Sequence, residues 1–371
     1  MIRKFLQKIF KTISYGIFLK IHGRINKFIT SDQDKRIKVK TLEIEENLKY
    51  NIYQITDGRL YTDRIQDTAV IIDNNIIKGP SFQLRLDKAS KISNSKIENN
   101  IVFTKGTPGI LRNLKGTTLS LLTGGGGNNN YWHWLFDVLP RLGLCKNYIN
   151  LEEINYFLLP SLVRKFQKET LDCLNISANK RLSSEKFRHI KTNKLIITDH
   201  PVVITGDATN DMQNMPSWIM NWLKNSFIKK NSKNILKNKI YIDRKDTDFA
   251  NLRVLVNEKE IKKLLLDSGF VFVNLGDIHF SKQVDLFNNA ECIVGLHGAG
   301  FANLAFCQPE TKVIEFRSSD AGPVIENLAK INNLNYYSLI SEAKPIHQYG
   351  FPNQQGSIEI PINKLKEVLK N

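Results

Sequence analysis

The fold is decided by the stretch VGLHGAGFANLAF (Val294–Phe306), which joins an apolar strand to a short apolar helix through a glycine-rich turn. Gly298 and Gly300 let the backbone turn tightly and approach a ligand closely. The following helix directs free N–H groups and its positive dipole end at the turn. The stretch contains neither G-x-G-x-x-G nor the Gly-Lys-Ser/Thr of a Walker loop. It therefore predicts either an anion site of another kind or a tight turn with an incidental histidine, His297.

Strand and helix patterns alternate strictly around this stretch, from residue 239 to residue 340. The strands are KIYIDR, FVFVNL, CIVGL, KVIEF and NYYSLI, and the helices between them include NEKEIKKLLLDSG, SKQVDLFNNA and AGPVIENLAKINN. Such alternation predicts parallel strands with right-handed helical crossovers, which form a doubly wound sheet. Ligands of such sheets bind beyond the carboxyl ends of the strands.

The residues expected at these strand ends are candidates for a ligand site: Arg244, Asp277–Phe280, His297–Gly300 and Glu315–Ser318. The planar guanidinium of Arg244 matches the geometry of a diphosphate. His297 and Asn303 are further candidate donors to a phosphate. The sequence thus places candidate phosphate ligands at one edge of the predicted sheet.

The first half of the chain shows short strands followed by a first α/β unit. Between residues 38 and 123, strands are expected at YNIYQIT, TAVIIDNN, SFQLRL, NIVFT and TTLSLLT. From about residue 130, strands INYFLLP and KLIIT alternate with helices near 162–174 and 216–227. The polar, basic segment KKNSKNILKNK (229–239) has no apolar periodicity, so we predict it to be the linker between two domains.

A glycine-asparagine run precedes a helical pattern in GGGGNNNYWHWLFDVLPRL (124–142). The run lacks the Lys and Ser/Thr of a phosphate loop. Pro140 is expected to kink or shorten the helix. An apolar stripe and a flanking polar face are expected, formed respectively by Leu135, Val138, Leu139 and Leu142, and by His133, Asp137 and Arg141.

The polar face of this helix has two interpretations. A histidine one turn from a carboxylate can act as a general base, because the carboxylate raises its basicity and fixes its ring. A capping histidine beside a surface ion pair between Asp137 and Arg141 fits the same spacing. Spacing alone leaves both open.

The first 30 residues contain basic residues and no acid. Phe5, Ile9, Ile13, Ile17 and Ile21 recur every four residues, with lysines between them. This pattern predicts an amphipathic helix for the membrane interface or a helix packed on the protein itself. Its apolar runs are far shorter than the ~18 residues of a spanning helix, and a secretory signal is not expected because no small-residue cleavage site follows.

Composition indicates a globular protein with an anionic partner. The 371 residues suggest two domains, and a net charge of +17 suits nucleic acid, a membrane surface or phosphorylated small molecules. No helix-turn-helix, zinc or RNA-recognition signature is present, so no nucleic-acid partner is expected. Four widely spaced cysteines without a CxxC pair argue against a zinc site and fit a reducing compartment.

Four blocks resemble the motif series of glycosyltransferase family 61: NYWHWLFDVLPRL, IYIDRK, LRVLVNEKEI and QVDLFNNAECIVGLHGAGFANLAFCQPETKVIEF. The resemblance covers residues 130–316. It implies an α/β fold of the GT-B type, with two facing Rossmann-like domains, here with a β-rich N-terminal portion. It also implies inverting transfer from a nucleotide-sugar to a glycan hydroxyl, with no cofactor and no essential metal. A cytoplasmic enzyme of surface polysaccharide biosynthesis, peripheral at the inner face of the membrane, is the expected setting.

Position by position, His133 and Asp137 match the motif of the N-terminal domain and are assigned to catalysis. Of the two, His133 is favoured as the base, because the ordinary pKa of histidine suits removal of a proton near neutrality, and Asp137 is expected to hold its ring. The resemblance assigns to the donor domain Arg244, Asn257, Glu258, His297, Gly298, Gly300 and Asn303. Donor contacts are also expected from Arg253 and Ala299, and Glu315 is a candidate for the ribose hydroxyls. Glu258 is expected to orient one of the two arginines. The family often has paired arginines before its Asn-Glu motif, whereas Leu252 precedes Arg253 here, which makes a second arginine contact uncertain.

These observations divide the chain into five parts: a basic helix (1–30), an acceptor-side α/β domain (31–228), a linker (229–239), a nucleotide-sugar domain (240–345) and a tail with a terminal helix (346–371). The triplet Asp246-Thr247-Asp248 is of a kind that holds a divalent cation, but basic neighbours favour surface pairing, so no metal ligands are assigned. The alternatives are an inactive nucleotide-sugar-binding scaffold and a basic nucleic-acid-binding protein.

Overall fold

The computed structural model describes residues 2–45, 47–62, 67–86, 92–94, 96–122, 129–229, 238–244, 253–344 and 356–370. The chain forms two compact units. The first comprises Met1–Gln167 and Asn175–Asp211, and the second comprises Lys168–Leu174 and Met212–Asn371. The boundary at residue 211 precedes the predicted linker at 229–239, most of which (230–237) lies outside the described residues.

A twelve-stranded mixed sheet forms the first unit within the described residues. Its strands are β1 (Lys27–Ile29), β2 (Ile37–Glu45), β3 (Leu48–Thr56), β4 (Arg59–Thr62), β5 (Asp67–Ile72), β6 (Asn75–Ile77), β7 (Phe82–Leu86), β8 (Ile92–Asn94), β9 (Arg112–Ser120), β10 (Tyr156–Leu159), β11 (Arg181–Ser183) and β12 (His189–Thr198). Strands β12, β9, β10 and β11 are neighbours in that order and run parallel. Strand β12 also pairs antiparallel with β3 and β4, so the β-rich portion and the α/β portion share one sheet.

The helices up to residue 213 are α1 (Ile2–His22), α2 (Val102–Lys105), α3 (Tyr131–His133), α4 (Pro140–Cys145), α5 (Lys165–Cys173) and α6 (Ala208–Gln213). The prediction of a strand at NIVFT was wrong, because α2 occupies it. The Asn100 side chain accepts a hydrogen bond from the Val102 N–H at 3.2 Å, and Gly106 ends the helix at a φ of 65°. No helix of the described residues is long and apolar enough to cross a bilayer.

The second unit contains the predicted doubly wound sheet. The strands of the second unit are β13 (Asn238–Asp243), β14 (Arg253–Leu255), β15 (Phe270–Asn274), β16 (Ala290–Leu296), β17 (Lys312–Ser318), β18 (Asn335–Ser341) and β19 (Gly356–Ile358). Its helices are α7 (Ser217–Phe227), α8 (Glu258–Asp267), α9 (Phe280–Asn288), α10 (Val324–Ile331) and α11 (Ile362–Lys370), together with a 3-10 helix at Ala299–Phe306. The α/β class and the alternating elements of this half are therefore confirmed.

Strand order in the second unit creates a topological switch point. The five-stranded sheet has the order β15-β13-β16-β17-β18, and all its pairs are parallel. The chain leaves β13 for β15 on one side and returns to β16 on the other, so the order reverses between β13 and β16. Ligands of doubly wound sheets bind at the carboxyl ends beside such a point. Arg244 follows β13 and His297 follows β16.

A two-stranded parallel sheet, β14 with β19, was not predicted. It joins Arg253 to Gly356 in register. The Asn257 side chain reinforces this connection, because its Nδ2 donates to Ile360 O at 2.8 Å and its Oδ1 accepts from Ile360 N at 3.2 Å. The predicted C-terminal tail thus fixes the strand that carries Arg253, and Asn257 has a structural role there.

Candidate active site

A helix with one wide turn carries the His133–Asp137 pair in the first unit. Between α3 and α4 the chain forms a π turn, Trp134–Val138, in which Leu139 N donates to Trp134 O at 3.1 Å. Pro140 has no N–H, and its ring would collide with a regular turn before it. The wider turn accommodates the proline, so the helix continues across Pro140 to α4. Turns of this kind are frequent at functional sites.

The end of the glycine-asparagine run caps this helix. The Asn130 side chain accepts a hydrogen bond from the Trp132 N–H at 2.9 Å. The four glycines at 124–127 lie outside the described residues. The predicted apolar stripe is confirmed, because all its members are buried: Leu135, Val138, Leu139 and Leu142.

His133 and Asp137 form a hydrogen-bonded pair in which Asp137 is buried and His133 is partly exposed. The distance from His133 Nδ1 to Asp137 Oδ2 is 2.7 Å, and the side chains are 24% and 2% exposed, respectively. Because an ionised carboxylate only accepts, Nδ1 carries the donated proton and Nε2 keeps its lone pair. The basic nitrogen of the pair, His133 Nε2, therefore belongs to the partly exposed side chain.

Electrostatics keep Asp137 ionised and make His133 more basic. Burial lowers the pKa of His133, but the charge of Asp137 and the hydrogen bond to it raise the pKa more, so the net pKa is above the ordinary value. Burial raises the pKa of Asp137, yet His133, with His200 and Arg141, brings it below the ordinary value. A buried carboxylate that raises the basicity of a histidine is a recurrent arrangement for a general base.

Arg141 is not part of a surface ion pair. Its side chain is buried, and its Nε donates to the backbone carbonyl of Asp137 at 3.1 Å. Its Nη1 donates to Thr198 O, also at 3.1 Å. Burial lowers the pKa of Arg141 to about 10, so the side chain stays charged at neutral pH. The interpretation of Asp137 and Arg141 as a surface pair is therefore wrong, because neither lies on the surface.

A second histidine, His200, lies beside Asp137 and was missed by the sequence reasoning. Its Nε2 is 3.9 Å from Asp137 Oδ2. Its Nδ1 accepts from the N–H groups of Val202 and Val203 at 3.1 and 2.9 Å, which places its proton on Nε2. Burial lowers the pKa of His200 to about 3, so it is neutral. The signal that could have found it is its place just beyond the end of β12, where site residues of parallel strands collect.

Two guanidinium groups converge at the switch point of the second unit. Nη1 of Arg244 and Nη1 of Arg253 both donate to His297 O, at 2.9 and 2.8 Å. Burial, and then repulsion by Arg244, lowers the pKa of Arg253 to about 10, so Arg253 stays charged at neutral pH. Arg244, which follows β13, and Arg253 of β14 are thus brought together, and a contact of a second arginine with the donor stays a prediction.

Gly298 is required for this close packing. A Cβ at Gly298 would lie 2.3 Å from Arg244 Nη1 and 3.4 Å from Arg253 Nη1. Its φ is 165°, which is extended backbone, so the requirement for glycine comes from space and not from the φ angle. The 3-10 helix begins directly afterwards at Ala299, and the first N–H groups of a helix have no acceptor within it. Positive groups and N–H donors therefore meet at one turn.

A buried chain of hydrogen bonds orients His297. Its Nδ1 bonds to Glu315, and the other carboxylate oxygen of Glu315 accepts from the Tyr336 hydroxyl. Burial and the charge of Glu315 raise the pKa of Tyr336, so the hydroxyl stays protonated. Glu315 is 1% exposed with both oxygens engaged. The geometry therefore supports Glu315 as the residue that fixes the His297 ring, and its contact with the ribose hydroxyls stays a prediction.

The family model of Glycosyltransferase 61 matches residues 131–314, from α3 to β17. The chain belongs to glycosyltransferase family 61. The resemblance seen in the sequence is thereby confirmed, and membership of the family makes the chain a glycosyltransferase. A search of curated proteins gave no match.

Two further residues assigned from the family 61 motifs, Asn303 and Glu258, have structural contacts within the second unit. Asn303 is fully buried and donates to Gln283 Oε1 at 3.1 Å and Gly300 O at 3.3 Å, so it braces the turn. Glu258 pairs with Lys262 at 2.9 Å, and Lys262 also binds Asp243. The ion pair of Glu258 is thus with a lysine, whereas an arginine was expected.

The candidate metal-binding triplet of this family 61 chain, Asp246-Thr247-Asp248, lies outside the described residues, and so does Leu252. In the described ranges, no three His, Cys, Asp or Glu side chains are grouped so that they could hold a metal ion. The absence of an essential metal stays a prediction.

Proposed function

We propose that this glycosyltransferase transfers a sugar from a nucleotide-sugar donor to a hydroxyl of a glycan acceptor, with inversion at the anomeric carbon. The observation that carries the proposal is the His133–Asp137 pair. Asp137 is buried, and His133 is partly exposed with a raised pKa. Such a pair suits removal of a proton from a sugar hydroxyl near neutral pH.

The proposed reaction is a single displacement. His133 Nε2 takes the proton of the acceptor hydroxyl as its oxygen attacks the anomeric carbon. The bond from that carbon to the diphosphate oxygen breaks, and the electron pair leaves with the nucleoside diphosphate. Asp137 stabilises the resulting imidazolium. Attack opposite to the leaving group inverts the anomeric centre.

Arg244, Arg253 and the N–H groups of residues 298–300 are proposed to hold the donor diphosphate. Two guanidinium groups 2.9 and 2.8 Å from one carbonyl oxygen create a strongly positive site. Charge-assisted hydrogen bonds to the leaving group favour its departure. The GT-B arrangement, which the family resemblance implies, stays a prediction.

A panel of nucleotide-sugars tests this function. Thermal-shift measurements select the donor that stabilises the chain, and NMR of the product formed on a soluble glycan acceptor then gives the anomeric configuration. Inversion supports the proposal. A retained configuration, or no stabilisation by any nucleotide-sugar, contradicts it.

We also propose a cytoplasmic setting at the inner face of the membrane, with a lipid-linked surface glycan such as capsule or lipopolysaccharide as acceptor. All four cysteines are free, and three of them are buried. Unpaired thiols suit a reducing compartment. The basic N-terminal helix supports the membrane part of this setting.

In Gly298→Ala the new methyl group displaces the Arg244 guanidinium from its place against the turn. We expect the affinity for the nucleoside diphosphate to fall roughly tenfold, as for loss of one aligned charged hydrogen bond. Calorimetric titration measures it. Gly16→Ala is the matched control, because a Cβ at Gly16 meets nothing within 4 Å. Unchanged affinity in Gly298→Ala would remove this turn from the donor site.

Turnover should survive EDTA, because the two arginines and the N–H groups supply the positive charge that a metal provides in other transferases. The double variant Asp246→Ala/Asp248→Ala should lose little activity. Initial rates with EDTA, and with EDTA followed by excess Mn²⁺, measure this. Complete loss of activity that Mn²⁺ restores would show that the enzyme needs a metal.

A further inference from the structure

Among the side chains of α1 that the structure describes, one face packs on the first unit. The inner face carries Tyr15, Phe18, Leu19 and His22, which are all partly buried. His22 Nε2 lies 3.1 Å from Gly109 O, and the His22 ring meets His189 edge-on with centroids 4.7 Å apart. The inner face therefore accounts for the attachment of α1 to its own unit.

The opposite face of α1 is apolar and exposed. An α-helix has 3.6 residues per turn, so residues about half a turn away from the inner-face residues lie on the opposite side of the helix. There they form one continuous stripe. This outer face consists of Leu6 (58% exposed), Ile9 (41%), Phe10 (72%), Ile13 (59%), Ile17 (53%) and Ile21 (64%). Contiguous apolar surface on a folded protein marks a place of interaction.

The charges around the outer face select its partner. Helix α1 contains five basic residues and no acid, and the exposed Lys11, Lys20, Arg24 and Lys27 lie in it or just beyond it. A second copy of the same face would bring these like charges together. An anionic bilayer surface offers acyl chains to the stripe and phosphates to the lysines.

We propose that the outer face of α1 inserts into the interfacial layer of an anionic lipid membrane, with the helix parallel to the bilayer plane. The apolar stripe lies among the upper acyl chains and the basic side chains lie at the headgroups. The inner face stays on the first unit, so the helix attaches the folded enzyme to the membrane without crossing it. This inference names the surface of the protein that binds the membrane in the setting proposed above. It does not depend on the proposed sugar transfer.

Co-sedimentation of the full chain with vesicles tests the proposal. Vesicles of phosphatidylcholine with one quarter phosphatidylglycerol are compared with pure phosphatidylcholine at low salt. We expect binding at least tenfold tighter to the anionic vesicles, weakening as salt increases. The variant Ile13→Glu/Ile17→Glu should bind the anionic vesicles at least tenfold more weakly. The control Leu266→Glu, at an exposed leucine of α8, should bind as the wild type does.

Three results would overturn the proposal. They are a wild-type chain that stays in the supernatant, a double variant that sediments with the lipid as the wild type does, and a dimer in ultracentrifugation that the double variant dissociates. The last result would assign the outer face to a second copy. Circular dichroism establishes that the variant is folded. Because vesicle binding requires neither donor nor acceptor, it can fail while the proposed transfer reaction stands, and the reverse also holds.

Discussion

His133→Ala should lower turnover about 10²–10⁴-fold, the usual effect of removing a general base. Nε2 of His133 is the nitrogen of the pair that keeps a lone pair, and its side chain is the one that reaches solvent. Affinity for the nucleoside diphosphate should stay nearly unchanged, since donor binding is proposed for the second unit. Single-turnover rates and calorimetric titration of the same preparation measure the two quantities.

The pH dependence of Asp137→Asn provides the control. A base must be neutral to accept a proton, so kcat/KM of the wild type should fall as pH decreases through the raised pKa of His133. In Asp137→Asn the attraction is lost and burial, which lowers the pKa, remains. The midpoint of the acidic limb should therefore move to lower pH, with a smaller loss of turnover than in His133→Ala. An inactive Asp137→Asn beside an active His133→Ala would instead make Asp137 the base.

The fold of the second unit was predictable from the sequence because it follows from patterns among residues that are close together in the chain. Alternating buried strands and amphipathic helices leave a parallel doubly wound sheet as the topology that satisfies every element. The rule that ligands bind at strand ends then selected Arg244 and His297. The structure brings these two residues within 2.9 Å of each other through the His297 carbonyl.

The first unit was less predictable because its pairing is not local. The strand patterns were visible, but nothing in them indicated that β12 pairs with β3 and β4, more than 100 residues earlier. The pairing of β14 with β19 was hidden for the same reason. It matters for the site, since it fixes the strand on which Arg253 lies.

The spacing of residues in the sequence also did not show in which direction a side chain points. Glu315 was expected at a strand end, but β17 continues to Ser318, so Glu315 lies within the strand and bonds to His297 and Tyr336. His200 reaches Asp137 across 63 residues of sequence, with no motif joining them. Pro140 was recognised as a disturbance of the helix, but its accommodation by a π turn depends on how the buried residues around it pack.

Arg244→Ala should weaken nucleoside diphosphate binding by about 2–3 kcal/mol, as expected for loss of a charge-assisted hydrogen bond. The Arg244 guanidinium, which donates to the His297 carbonyl, is the proposed diphosphate contact. Arg244→Lys should recover part of the loss, because it restores the charge but not the planar fork. Calorimetric titration gives both affinities, and an affinity of Arg244→Ala equal to that of the wild type would exclude Arg244 from the donor site.

The double variant Arg244→Ala/Arg253→Ala should lose less than the sum of the single losses. The two guanidinium groups share one acceptor, His297 O. If both hold one diphosphate, removing either arginine also misplaces the phosphates for the other, so part of the second contact is already lost in each single variant and the losses are not additive. Additive losses in the thermodynamic cycle would show that the two arginines bind the ligand independently, at separate positions. A shortfall in the double variant would show that they act together on one diphosphate, as their shared contact with His297 O indicates.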